Sequence, residues 1–124
     1  MLAPFAVSAG PHSYNCETKQ VVHVQPDGTV KVVQASETFE MFQRFSIDRR
    51  TAEKVGGPVG HLQDEPARIL AKGDEDNSLV VFWVAHSYVG AGLLDVLRVD
   101  EFVPGVKKPF TALGGGTIYT GLCE

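Results

Sequence analysis

The sequence has few cysteines, no long apolar run and no excess of basic residues, and each of these scarcities excludes a class of protein. No stretch approaches the length of a membrane-spanning helix. Eleven basic against fifteen acidic residues give a net charge of −4, and the basic residues are scattered except for the pairs Arg49-Arg50 and Lys107-Lys108. Nucleic-acid binding calls for a clustered basic face, so no nucleic-acid partner is predicted.

Metal-binding patterns are also missing. The four histidines, at positions 12, 23, 61 and 86, form no His-x-His or His-x-x-x-His pair. No Cys-x-x-Cys pair accompanies them, and the acidic residues 74–76 lack the ligand order of a calcium loop. The sequence therefore predicts no metal site.

Catalytic patterns are equally scarce. Ser87 follows His86, but neighbouring residues in a strand point to opposite faces and cannot form a nucleophile–base pair. The glycines at 90–92 and 114–116 are interpreted as turns, because neither belongs to a complete nucleotide-binding motif. We predict no cofactor, and an enzyme is the weakest of three functional alternatives.

What the sequence does contain is a series of short β-type segments separated by turn signals. The central one is a hairpin over residues 79–102, in which a strand rich in Val, Phe and Trp is followed by Gly90-Ala91-Gly92 and a returning strand. Pro26-Asp27-Gly28-Thr29 is a second strong turn signal. Residues 36–44 indicate one helical turn capped by Ser36, an irregular segment, or a strand. The predicted strands are residues 14–25, 30–34, 45–48, 53–55, 67–71, 79–86, 93–99, 110–113 and 117–122.

This pattern predicts an all-β fold for residues 10–124, as one domain with a single antiparallel meander of eight or nine strands. A closed or nearly closed, lipocalin-like barrel leaves no open edges, and a two-sheet sandwich is the alternative. The cysteines at 16 and 123 favour the barrel, because a barrel places the first and last strands side by side.

The chain ends indicate the compartment. Residues 2–9 resemble the end of a signal peptide's apolar region, or alternatively form an apolar tail. Export predicts a disulfide between Cys16 and Cys123 and a periplasmic or secreted protein. Such a link closes a loop of 107 residues, which the loop-entropy model values at about 4–5 kcal/mol.

The candidate binding residues lie in the central strand and in three predicted loops, at residues 88–92, 103–109 and 114–119. They are Trp83, His86, Tyr88, Lys107, Lys108 and Tyr119. A set of aromatic residues either fills the core or lines a cavity for a small apolar ligand. These are Phe39, Phe42, Phe45, Phe82, Trp83, Phe102 and Phe110.

The layout Tyr14-x-Cys16, many hairpins and Tyr119-x-x-x-Cys123 resembles small exported bacterial β-barrels, best known as periplasmic inhibitors of c-type lysozyme. Those proteins carry a Ser-Gly-x-x-Tyr loop, and the nearest match here is residues 115–119, with Gly in place of Ser. Their second, lysine-bearing loop has no match. The resemblance covers the cysteine frame and layout, so it implies a fold more than an activity.

The sequence thus predicts a small exported binding protein that acts through loops on a β-barrel. The expected partner is a protein, such as a basic lysozyme, or a small apolar ligand. The second hypothesis is a structural or assembly component of a cell envelope or a phage particle.

Overall fold

Nine β-strands account for most of the regular structure in the computed structural model, which describes residues 12–38, 40, 43–60, 66–85 and 93–124. All nine strands belong to one antiparallel sheet. In chain order they are β1 (Ser13–Val24), β2 (Val30–Gln34), β3 (Arg44–Asp48), β4 (Lys54–Gly56), β5 (Arg68–Ala71), β6 (Leu79–Ala85), β7 (Leu93–Val99), β8 (Lys108–Gly114) and β9 (Thr117–Cys123).

The sheet is a strongly curled half-barrel. Its strand order is β4-β3-β1-β9-β8-β7-β6-β5, and β2 pairs with the second half of β1, beyond the part that pairs with β3. The predicted all-β antiparallel meander is therefore confirmed, and the two-sheet sandwich is not the architecture. The first and last strands are neighbours, as the cysteine positions predicted.

Three local predictions need correction. Residues Ala35–Glu37 form one 3-10 turn, but Gln34 rather than Ser36 is its N-cap. Lys108 and Pro109 belong to β8 rather than to a loop, and proline is tolerated there because it lies at the start of the strand. Tyr119 lies inside β9, in agreement with the predicted strand 117–122 and not with the predicted loop 114–119, because the turn between β8 and β9 is only Gly115-Gly116.

The predicted disulfide between Cys16 and Cys123 is present. The two residues face each other across β1 and β9 with their Cα atoms 4.0 Å apart. The neighbouring pair, Asn15 and Glu124, exchanges both backbone hydrogen bonds, at 2.8 and 2.9 Å. The cysteines therefore occupy the non-hydrogen-bonded type of site, where side chains of an antiparallel pair are closest.

The hydrophobic core lies on the concave side of the sheet. Residues 57–60 pack there, and a Cβ atom added at Gly57 would lie 2.6 Å from the Cβ of Phe45. The rings of Phe45 and Phe110 meet edge to face, with centroids 5.1 Å apart. The buried core consists of Cys16, Phe45, Ile47, Ala52, Val59, Leu79, Val81, Trp83, Leu97, Val99, Phe110, Ala112 and Cys123. In the part of the chain described, no helix is long and apolar enough to cross a membrane.

Candidate binding surface

The structure separates the residues predicted for binding. Trp83 is only 4% exposed and belongs to the core. Tyr119 is partly buried and packs against the same core. His86 and Tyr88, together with the predicted turn at residues 90–92, lie outside the described residues.

The two predicted lysines also differ from each other. Lys107 is exposed in the connection between β7 and β8. Lys108 is partly buried, and its Nζ donates a hydrogen bond to the main-chain oxygen of Val103. This bond ties the end of the connection to the start of β8, so Lys108 has a structural role that its position in the sequence did not indicate.

The predicted aromatic group divides between the two faces of the sheet. Phe45, Trp83 and Phe110 are buried on the concave side. Phe82 points to the opposite face, and Phe102 is 47% exposed in the connection after β7. Phe39 and Phe42 are not among the described residues. Three buried aromatic side chains packed within one core favour a filled interior over a ligand cavity.

A polar cluster of Lys54, Asp95 and Tyr119 lies at one end of the concave face. Asp95 is directly opposite Trp83 in the β6–β7 pairing, and its Oδ2 accepts a hydrogen bond of 2.6 Å from the main-chain N–H of Gly60. Gly114 has no Cβ, which leaves room for this carboxylate, because a Cβ there would lie 2.8 Å from Asp95 Oδ1.

Lys54 brings a positive charge into this cluster. Its Nζ lies 5.8 Å from the centre of the Phe45 ring and 6.0 Å from that of Trp83, and it donates a hydrogen bond to the Gly56 carbonyl. Burial lowers the pKa of Lys54 to about 8, although the Asp95 carboxylate acts in the opposite direction. Burial also raises the pKa of Tyr119, as does the negative charge of Asp95.

The partners of these groups make the cluster structural. Asp95 holds Gly60 against the core, and Lys54 closes the turn after β4. Sequence reasoning missed Lys54 and the role of Asp95, because the two residues come from different hairpins 41 positions apart. No local spacing pattern could have joined them.

A second buried charge lies in the turn after β7, outside all the predicted sites. Glu101 is 8% exposed, and both of its oxygens accept from Arg49, at 2.5 and 3.1 Å. The Arg49 guanidinium lies 5.6 Å from the Tyr14 ring centre. Burial, and then the Glu101 carboxylate, raise the pKa of Tyr14. Because each group faces an opposite charge or a ring, this trio is also structural.

The convex face carries the strongest candidate for a binding surface. One line of directly paired residues crosses six strands, and every member is apolar. We call this line the convex row; it consists of Val32, Val22, Ile118, Leu113, Val96 and Phe82. Val32 is 52% exposed and Leu113 is 44% exposed. A sheet with one solvated face normally alternates apolar and polar residues, so an apolar line on the outer face needs another explanation.

Uncharged residues border most of the convex row on one side. Gln20, Thr120 and Thr111 pair with one another in the adjacent line across β1, β9 and β8. The next residue in that line is Arg98, which forms an ion pair with Asp100, with Nε 2.9 Å from Oδ1. Apolar residues also border the row on the other side, where Val24 (50% exposed) pairs with Val30 (58% exposed). An apolar centre with a hydrogen-bonding rim is the composition of a protein–protein interface.

One signal for the convex row was present in the sequence. In β7 the segment Leu93-Leu94-Asp95-Val96-Leu97 is apolar at both odd and even positions, which places apolar residues on both faces of a strand. The strand alone could not show that the outward residues line up across six strands, because pairing register depends on the whole sheet.

The described residues include no group of three or more His, Cys, Asp or Glu side chains placed to hold a metal ion. His12 and His23 lie at opposite ends of β1, and His23 Nδ1 is 3.3 Å from Thr117 Oγ1. Comparison of the chain with protein-family models, with curated proteins and with solved structures found no match.

Proposed function

We propose that this chain is a small exported protein that acts by binding a partner protein, and that the convex row is the centre of its binding surface. The observation that carries the proposal is the unbroken apolar line from Val32 to Phe82 on the outer face. This surface replaces the predicted loops as the leading candidate.

A protein partner fits the structure better than a small apolar ligand. The concave side holds Phe45, Trp83 and Phe110 at 1%, 4% and 1% exposure, so these side chains already fill the space that a small ligand would use. The convex row extends across six strands and lies on an outward-curved face. A surface of this shape is suited to contact with another protein, whereas small molecules bind in concave pockets.

Charge indicates the chemistry of the partner. The chain has a net charge of −4, and the rim residues Gln20, Thr120 and Thr111 are uncharged. A complementary partner has an apolar patch, hydrogen-bonding groups around it and a neutral or positive net charge. A basic lysozyme, suggested by the family resemblance, has this charge character and is the first partner to test.

Export is supported by two features. The cystine at Cys16–Cys123 is stable in an oxidising compartment, and residues 2–9 have the apolar pattern of a signal-peptide end.

The proposal can be tested by site-specific photocrosslinking. A benzoylphenylalanine residue replaces Leu113 in the convex row, and a matched control carries it at Glu75 in the exposed acidic turn before β6. We expect position 113 to give a crosslinked product of defined mass, made of this chain and its partner protein. The product should be lost when Val96→Lys is added to the same chain. Position 75 should give no product. Equal products from both positions, or a product that survives Val96→Lys, would contradict the proposal.

The hypothesis that the partner is a lysozyme is tested separately, by adding an excess of this chain to a turnover assay of a c-type lysozyme. We expect slower turnover with the wild-type chain and recovery with Leu113→Lys. Unchanged turnover with the wild-type chain excludes lysozyme as the partner.

A further inference from the structure

The strand β2 has a free edge. It pairs with β1 through residues 30–34, and no strand among the described residues pairs with its other side. Natural edge strands are commonly protected by proline, bulges or several charged residues. β2 has the sequence Val-Lys-Val-Val-Gln, with no proline and one lysine, so it lacks most of these protections.

The hydrogen bonds of β1 show which groups of β2 point outward. The N–H of Gln25 donates to the Thr29 carbonyl at 2.7 Å, toward β2, whereas the N–H of Val24 donates to the Gly116 carbonyl at 3.2 Å, toward β9. In an antiparallel pair these directions alternate along the strand. Lys31 and Val33 therefore bond to β1, and the peptide groups of Val30, Val32 and Gln34 face the free edge.

We infer that two copies of this chain join through their β2 edges into one continuous sheet, with a two-fold axis at Val32. In this register Val32 faces Val32 of the partner subunit, and Val30 faces Gln34 of the partner subunit. All of these positions have outward peptide groups, so the match gives about six backbone hydrogen bonds. A two-fold interface requires a surface that is complementary to itself, and this edge meets that requirement.

Charge selects this register over its neighbour. If the strands shifted by one residue in each copy, Lys31 would lie directly opposite Lys31 of the partner subunit, and like charges in that position repel. With the axis at Val32, Lys31 instead faces Val33 of the partner subunit. The shifted register also pairs only Val30 with Val32 of the partner subunit among the outward-facing residues, so it forms about four new hydrogen bonds instead of about six.

The dimer extends the proposed binding surface without covering it. Val32 is the last member of the convex row on the β2 side, so the row in one copy would continue into the row of the other. The inference goes beyond the proposed function, because it concerns the edge of the sheet rather than its outer face. A sheet that continues from one copy into the next also supports the alternative hypothesis of a structural or assembly component.

Sedimentation equilibrium of the intact, disulfide-bonded chain from micromolar to millimolar concentration tests the inference. We expect a reversible monomer–dimer equilibrium. Val32→Lys and Val32→Glu each place like charges at the axis, and we expect each to raise the dimer dissociation constant about tenfold. An equimolar mixture of the two variants should restore dimers as mixed pairs, because opposite charges then meet at the axis.

Circular dichroism and the intact disulfide establish that each variant is folded. A wild-type chain that stays monomeric throughout, a dimer unaffected by Val32→Lys, or a mixture that stays monomeric would overturn the inference. Val96→Lys is the control: it lies on β7, away from the edge, and should leave the dimer unchanged while abolishing the photocrosslink from position 113. The two proposals can therefore fail independently.

Discussion

Both faces of this sheet carry a set of apolar residues, but only the set on the concave face is fully buried. Leu97 and Ala112 pair on the concave side, and both have no exposed surface. Val96 and Leu113 pair one position away on the convex side, where Leu113 is 44% exposed. The same two strands thus carry an apolar pair on each face.

We interpret this difference in burial as a difference in role between the concave core and the convex row. Burial of the concave residues removes apolar area from water and stabilises the fold. The convex row gains less of this stabilisation within one chain, because Val32 and Leu113 are exposed and its other members are only half-buried, and it adds a risk of aggregation. Under the proposed function, its apolar character serves a contact with a partner protein. Predictions that compare matched residues on the two sides test this interpretation.

The largest difference is expected between Leu97→Ala and Leu113→Ala. The first substitution leaves a cavity in the concave core and should lower the free energy of unfolding by about 3 kcal/mol. The second removes a side chain that is already largely solvated and should cost less than about 1 kcal/mol. Urea denaturation of the two variants measures both values. Similar losses would show that the convex face also contributes to the folded core.

Much of this architecture could be predicted from local patterns. The turn at Pro26-Asp27-Gly28-Thr29 and the alternating segments around it correctly predicted β1 and β2, because turn chemistry and strand period act over a few residues. The disulfide was predicted from export, because an oxidising compartment favours paired cysteines, and two cysteines allow only one intramolecular pair.

The proposed binding surface could not be found in the same way. Val22, Ile118 and Leu113 are neighbours only because β1, β9 and β8 pair in a particular register. That register spans most of the chain, and no short window of sequence encodes it. The strand predicted over residues 117–122 begins at Thr117 as expected, so the overlapping prediction of an exposed loop over 114–119 was wrong for Tyr119. The glycine turn has only two residues.

The next comparison concerns two glycines with nearly the same positive φ angle. Gly57 has φ +86° and lies against Phe45 on the concave side, whereas Gly28 has φ +87° and nothing within 4 Å of an added Cβ. Gly28→Ala should cost about 1 kcal/mol, from the left-handed conformation alone. Gly57→Ala should cost about 2 kcal/mol more, because the methyl group overlaps Phe45. Thermal denaturation measures the difference, and equal losses would mean that Phe45 can move aside.

The smallest effect on folding stability is expected from the charge of Lys54 on the concave face, and this effect depends on pH. The pKa of Lys54 is about 8 in the folded chain, against an ordinary value of 10.5. Between these values the unfolded chain binds more protons than the folded chain, so the contribution of Lys54 to stability rises with pH. Below about pH 8 the lysine is charged in both states, and the cost of burying the charge is present in full.

Replacing Lys54 with methionine removes this dependence. Relative to Lys54→Met, we expect wild-type stability to rise by about 1 kcal/mol from pH 8 to 10.5, after allowance for partial solvent screening. The tyrosines titrate in both proteins, so their effects cancel in the difference. Lys72→Met, at an exposed position, is the control and should show no such trend. Urea denaturation across this pH range makes the measurement, and a constant difference would mean that water solvates the Lys54 ammonium despite the two aromatic rings beside it.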